Sequence, residues 1–324
     1  MRFPATLNGV LLVSLLGLSS IIGTGAKEAP GATRPPASPP RVVIVCWDGA
    51  KPHVLKEMMG RRRLPALKSL VKSGRWTWDA KTILPSSTLP SHVSMLTGLP
   101  PSQHGVTWNS DRPEKGPLAV PTVFSLAKAA GLKTAMVVGK TKLKLLAGTG
   151  NVDSEVLETG PPHEVAMQAL DILTQKDPDL LFVHFAAADG EGHDYGWGNS
   201  ATGQPPSPEY EGALAACDRA TAEILKSVHS DGRWRTTLLI LTADHGGKEK
   251  NHGGEDPQET SIPWVADGGL VVARGELRVP VVTEDTAATA LSALGIPVPA
   301  GWTGRPVPGI LSSRPAGAAL RPAA

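Results

Sequence analysis

Four short, nearly unbroken apolar runs punctuate the chain, at residues 42–46, 133–138, 180–184 and 236–242. Each is too short for a helix and reads as a strand. Because none alternates apolar with polar positions, the pattern predicts strands covered on both faces. Between and beyond these runs, residues 65–73, 91–97, 121–130, 163–175, 208–228 and 285–294 read as helices. Strands separated by helices predict an α/β domain with a mainly parallel central sheet and helices on both faces.

The polar residues fall in a telling place relative to these strands. Asp48 follows the first run, Asp189 the third, and Asp244 with His245 the fourth. In an open α/β sheet, loops beyond the carboxyl ends of strands converge on one crevice, so these residues predict a shared site. With His193, His252 and Thr88 the set holds three carboxylates, three imidazoles and a hydroxyl. Mixed nitrogen and oxygen donors suit zinc, or manganese as a harder substitute, better than calcium. Gly190 and Gly192 argue against a regular helix around Asp189 and His193, which predicts a loop folded around an ion. The glycines of Asp244-His245-Gly246-Gly247 and His252-Gly253-Gly254 permit close backbone approach. Thr88 stands ahead of a short helix, where a hydroxyl serves either as a cap or as a nucleophile. The same helix end offers N–H groups to a phosphate oxygen.

The chain ends narrow the setting. Arg2 precedes an uncharged apolar stretch at residues 10–22 that closes on Thr24-Gly25-Ala26. That is the pattern of a secretory leader over residues 1–26, and the stretch is shorter than the roughly 20 residues needed to span a bilayer. The expectation is an exported protein, periplasmic or secreted, with no stable membrane insertion after cleavage. Five prolines in residues 27–40 predict an extended linker, and the stretch 312–324 a flexible tail. Residues 41–311 suffice for one catalytic domain. Lys and Arg number 32 against 30 Asp and Glu, so nothing in the charge requires nucleic acid. The two cysteines, Cys46 and Cys217, read as buried thiols.

Five segments carry a family resemblance: Val45-Cys46-Trp47-Asp48-Gly49; Thr88-Leu89-Pro90-Ser91-His92 with Leu96-Thr97-Gly98 and His104-Gly105-Val106; Asp189-Gly190-Glu191-Gly192-His193; Thr242-Ala243-Asp244-His245-Gly246-Gly247; and His252-Gly253-Gly254. In this order they resemble the motifs of the alkaline phosphatase superfamily, and most of all its type I phosphodiesterase and nucleotide pyrophosphatase branch. The resemblance implies an alkaline phosphatase-like fold and two divalent ions, zinc or manganese. One would be held by Asp189, His193 and His252, the other by Asp48, Asp244 and His245 beside Thr88. It implies a small-molecule phosphate ester substrate, attacked by Thr88 to give a phosphothreonine that water then hydrolyses. A threonine cannot yield the formylglycine of sulfatases. Where nucleotide pyrophosphatases carry Asn, three residues after the nucleophile, this chain has Ser91; Ser91 and Asn109 are the expected substrate contacts. The alternatives are a phosphomonoesterase or phosphonate hydrolase on the same scaffold, or an exported metal-binding protein without catalysis.

Overall fold

The structure, a computed structural model, describes residues 39–148 and 150–312. The expected leader, most of the proline-rich linker and the expected tail from residue 313 lie outside the described residues. The strands are β1 (Arg41–Trp47), β2 (Arg75–Lys81), β3 (Thr134–Val138), β4 (Ser154–Leu157), β5 (Leu180–Phe185), β6 (Thr237–Thr242), β7 (Ser261–Asp267) and β8 (Gly275–Glu276). They form one eight-stranded sheet in the order β4-β3-β5-β1-β6-β7-β2-β8. From β4 to β6 all neighbours run parallel, while β7 runs antiparallel to both β6 and β2. The four apolar runs coincide to within two residues with β1, β3, β5 and β6, and every residue of these strands is buried. Continuous apolar sequence is thus the signature of two-sided coverage.

Among the described residues, ten α-helices complete the fold: α1 (Pro52–Gly60), α2 (Pro65–Ser73), α3 (Thr88–Thr97), α4 (Pro101–His104), α5 (Val123–Ala129), α6 (Pro162–Lys176), α7 (Ala187–Tyr195), α8 (Pro208–Ser230), α9 (Pro257–Thr260) and α10 (Asp285–Leu294). Helices α1, α2, α6 and α7 gather around α8, and α3 and α5 around α10, giving two helical layers. None of the described helices is long and apolar enough to cross a membrane. Cys46 and Cys217 are buried free thiols.

The remaining four strands carry weaker signals. In β7, Pro263 interrupts the apolar pattern and cannot donate to the ladder. It stands opposite a register shift in β2 between Thr77 and Ala80, so the partner strand bulges where the proline lacks an N–H. Helix α7 departs from expectation more sharply. The segment containing Asp189 and His193 is helical, not a loop, although Gly190 and Gly192 disfavour helix. Packing overrides propensity here: a Cβ on Gly192 would lie 2.2 Å from the Trp197 ring.

The same indole accounts for Gly247 and adds to the constraint on Gly49, which already has a left-handed φ of +70°. A Cβ on Gly247 would also meet Trp197 at 2.2 Å, and one on Gly49 at 3.2 Å. Trp197 is fully buried, and its Nε1 donates to Gly49 O at 2.9 Å. It therefore clamps the loops after β1 and β6 against α7. Trp197→Ala should cost about 3–5 kcal/mol, the usual range for truncating a buried aromatic, read from urea unfolding; a loss under 1 kcal/mol would show that the indole is not the clamp.

Candidate active site

The carboxyl ends of β1, β3, β5 and β6 deliver the polar residues to one edge of the sheet. At each carboxylate, one oxygen is tied and the other left bare. Asp244 Oδ1 accepts from the N–H groups of Gly49, at 3.1 Å, and His245, at 3.0 Å. Asp48 Oδ2 accepts from His184 Nε2 at 2.8 Å and pairs with Lys140 Nζ at 2.6 Å. Asp189 Oδ2 pairs with the same ammonium at 2.5 Å. Asp48 Oδ1, Asp189 Oδ1 and Asp244 Oδ2 are buried and accept no hydrogen bond.

The imidazoles complete the pattern. His245 Nδ1 donates to Gly246 O at 2.7 Å, His252 Nδ1 to Ser86 O at 2.8 Å, and His193 Nδ1 to Lys250 O at 3.0 Å. With the proton on Nδ1, each ring turns its Nε2 lone pair inward. Three bare carboxylate oxygens thus face three bare imidazole nitrogens.

These six atoms form two clusters. Asp189 Oδ1, His193 Nε2 and His252 Nε2 make a triangle with sides of 3.5, 3.4 and 3.1 Å. In the other cluster, His245 Nε2 lies 3.4 Å from Asp48 Oδ1, 3.3 Å from Asp244 Oδ2 and 3.4 Å from Thr88 Oγ1. A tetrahedral zinc ion with bonds of about 2.1 Å spaces its ligand atoms about 3.4 Å apart. Both clusters therefore fit such an ion in donor type and spacing. His245 Nε2 also lies 3.8 Å from Asp189 Oδ1, so the clusters adjoin. We assign His245 to the Asp48 cluster because its distances there are shorter and one lone pair serves one ion.

The electrostatics agree. Burial, and then the Asp48 charge, push Asp244 up to about 7, whereas burial of Asp48 is more than offset by the Lys140 charge and the His184 hydrogen bond, which hold it well below the usual carboxylate range. Burial pushes His245 down to about 4, so its ring is neutral at pH 7. Burial opposes charge on Lys140, but Asp48 and Asp189 more than offset it and raise the ammonium above its usual range.

Thr88 is the first residue of α3, and the position before it, Ser87, makes no side-chain cap. The Thr88 hydroxyl is thus no helix cap; it lies 3.4 Å from both His245 Nε2 and Lys140 Nζ. Asn109 performs the capping, with Oδ1 accepting from Leu89 N at 2.9 Å and from Lys142 Nζ at 2.9 Å. Its amide NH2 remains a donor beside the nucleophile's helix. Ser91 is not where a substrate contact was expected. It is fully buried, its Oγ donates to Asp244 O at 2.7 Å, and it shares a hydrogen bond with Thr82 Oγ1. Its hydroxyl is spent on holding the loop after β6.

Lys140, Lys142 and His184 also belong to the site, although none of them stands in the motifs that mark the expected ligands. Lys140 comes two residues after β3, the same strand-end position that singled out Asp48 and Asp244. His184 is hidden inside a strand, and only its buried contact with Asp48 distinguishes it.

A mainly parallel sheet carrying a hydroxyl at a helix start beside one of two such clusters is the arrangement of an alkaline phosphatase-like protein. The chain belongs to the type I phosphodiesterase / nucleotide pyrophosphatase family, whose sequence pattern matches residues 42–275. It is 28% identical over 302 residues to the human GPI ethanolamine phosphate transferase 2, catalytic subunit, covering 89% of this chain and 30% of the relative. It is 25% identical over 230 residues to the Bos taurus bis(5'-adenosyl)-triphosphatase ENPP4, covering 65% of this chain and 48% of the relative. The chain thus spans less than half the length of either. A solved structure of inactive murine ectonucleotide pyrophosphatase / phosphodiesterase 5, in complex with AMP, superposes with a TM-score of 0.65 at 13% identity. The match covers 80% of this chain and 96% of that one, and shows the shared fold.

Lys140 is the sole ammonium paired with two of the three site carboxylates among the described residues. Lys140→Met should therefore destabilise the chelator-treated protein by about 3–5 kcal/mol, the cost of breaking a buried ion pair. Urea unfolding of wild type and variant in EDTA at pH 7 reads this directly, and equal midpoints would refute it.

Proposed function

We propose that the chain hydrolyses phosphate esters with the aid of two divalent ions, by way of a covalent phosphothreonine at Thr88. The observation that supports this most is the convergence of three bare carboxylate oxygens with the Nε2 atoms of His193, His245 and His252 at ligand spacing, with His245 Nε2 3.4 Å from the Thr88 hydroxyl. Asp189, His193 and His252 would hold one ion, and Asp48, Asp244 and His245 the other, with zinc as the metal that suits the donors and manganese as its substitute. When bound, the ions supply Lewis acidity at Thr88 and at the leaving oxygen and neutralise the three carboxylates.

The chain's own groups do the rest. Thr88 Oγ gives up its proton to solvent and forms a bond to phosphorus as the bond to the leaving oxygen breaks, and the released alkoxide takes a proton from water. Water then forms a bond to phosphorus from the side opposite Thr88 as the bond from phosphorus to Thr88 Oγ breaks; one proton of that water returns to Thr88 Oγ, which frees the hydroxyl and inorganic phosphate or a phosphate monoester. Lys140 keeps its proton, so it serves as a fixed positive charge beside the nucleophile and not as a base. Asn109, held by Leu89 N, directs its amide toward a phosphate oxygen. Family membership supports a diester or pyrophosphate substrate, and the apolar leader pattern supports an exported setting.

A second reading, a monoester substrate, draws on Lys140 and Lys142. Their ammonium groups crowd the side of Thr88 and Asn109, where the additional charge of a dianionic monoester would be matched.

Three outcomes follow. Thr88→Ala should lower hydrolysis of bis(nitrophenyl) phosphate by about 10^3-fold or more; a wild-type rate would end the nucleophile assignment. In a panel of nitrophenyl mono-, di- and phosphonate esters, Lys142→Ala should cut monoester kcat/KM roughly tenfold more than diester kcat/KM if the second reading holds, one lost charge-assisted bond being worth about 1.5–3 kcal/mol. Activity should fall in acid as protons compete with the ions for the three imidazoles, and an unchanged rate at pH 4 would exclude imidazole-bound metal.

A further inference from the structure

His184 is the penultimate residue of β5 and stands opposite Cys46 of β1, two residues before Asp48, and it belongs to none of the five motifs. Its ring is wholly buried. Nδ1 accepts the Gly139 N–H at 3.2 Å, and a backbone N–H can only donate. The ring proton therefore sits on Nε2, which donates to Asp48 Oδ2 at 2.8 Å. This tautomer is opposite to that of His193, His245 and His252, whose Nδ1 atoms donate to carbonyls. His184 accordingly has no inward lone pair to offer an ion. What it has is a fixed donor that occupies one oxygen of Asp48 and turns the other, bare oxygen toward His245 Nε2.

The same ring is fixed from other sides. It packs edge-on against His92, with centroids 4.9 Å apart, and His92 Nδ1 donates to the Thr88 carbonyl at 2.7 Å. Through Gly139 the ring also fixes the peptide that leads into Lys140, the second partner of Asp48 Oδ2. One imidazole thus contacts the carboxylate, the lysine-bearing turn and the histidine behind the nucleophile.

We infer that His184 is a positioning residue that holds Asp48 in its ion-binding orientation, so that its loss weakens one ion site and spares the other. This rests on the two-ion reading above. Loss of such an outer hydrogen bond generally weakens metal binding about 10–100-fold. His184→Phe keeps the ring shape and removes both hydrogen bonds, while His184→Gln retains an N–H donor at comparable reach.

The test is competitive zinc titration of the full chain after EDTA dialysis, for wild type and both variants, with thermal unfolding alongside. Wild type should bind two ions. His184→Phe should bind one with unchanged affinity and the other about 10–100-fold more weakly, and His184→Gln should recover part of that loss. Wild type that binds no zinc would overturn the two-ion reading and this inference together. Two tight ions in both wild type and His184→Phe would overturn the role of His184 alone, as would equal weakening of both sites. Should His184→Phe fail to fold, nitrogen-15 NMR of histidine in the ion-free wild type decides: a His184 ring protonated on Nδ1 overturns the inference, and one protonated on Nε2 together with a weakened site in His184→Gln relative to wild type sustains it.

Discussion

Three carboxylates buried within a few ångströms of one another repel, and the site can exist only because that repulsion is managed. Lys140 reaches between Asp48 and Asp189, and two backbone N–H groups hold Asp244. Each anchor takes one oxygen and leaves its twin free. The arrangement is costly, since burying unpaired charge is unfavourable. The sheet bears that cost through β1, β5 and β6, whose continuous burial fixes the loops from which the carboxylates project.

The histidines show how the backbone finishes what the sheet begins. Ring orientation is set by carbonyls of Gly246, Ser86 and Lys250, none of them chemically distinctive. Such partners are interchangeable in sequence but not in space. His193 is the most open of the three, its side chain 42% exposed, whereas His245 is fully enclosed. The edge of the site that meets solvent is therefore the Asp189 cluster, and the nucleophile lies on the inner side.

Much of this was legible in the sequence. The four buried strands announced themselves as apolar runs, and the residues after them supplied Asp48, Asp189, Asp244 and His245. What stayed hidden has identifiable causes. Pro263 broke the pattern of β7, and the exposed charges of β2 masked its pairing. Glycine propensity argued for a loop at Asp189, but the turn containing Gly192 is helical because it fits against an indole. Ser91 looked like a substitute for a substrate-binding amide, yet nothing in one dimension shows that its hydroxyl points into the protein. Lys140 shares the strand-end position of the acids, but a lysine there carries no ligand signature, and its role as their counter-ion is visible only in space.

The indole of Trp197 gives the motif glycines a different meaning. Gly49, Gly192 and Gly247 come from three separate segments, and each closes on the same ring. Residues that share one contact partner do not vary independently. Gly192 and Gly247 should therefore be inherited with the tryptophan: a chain that replaces it with a smaller residue gains freedom at both at once, whereas Gly49 stays constrained by its left-handed backbone, at φ +70°, and by Asp189 Cα 3.2 Å from where its Cβ would lie.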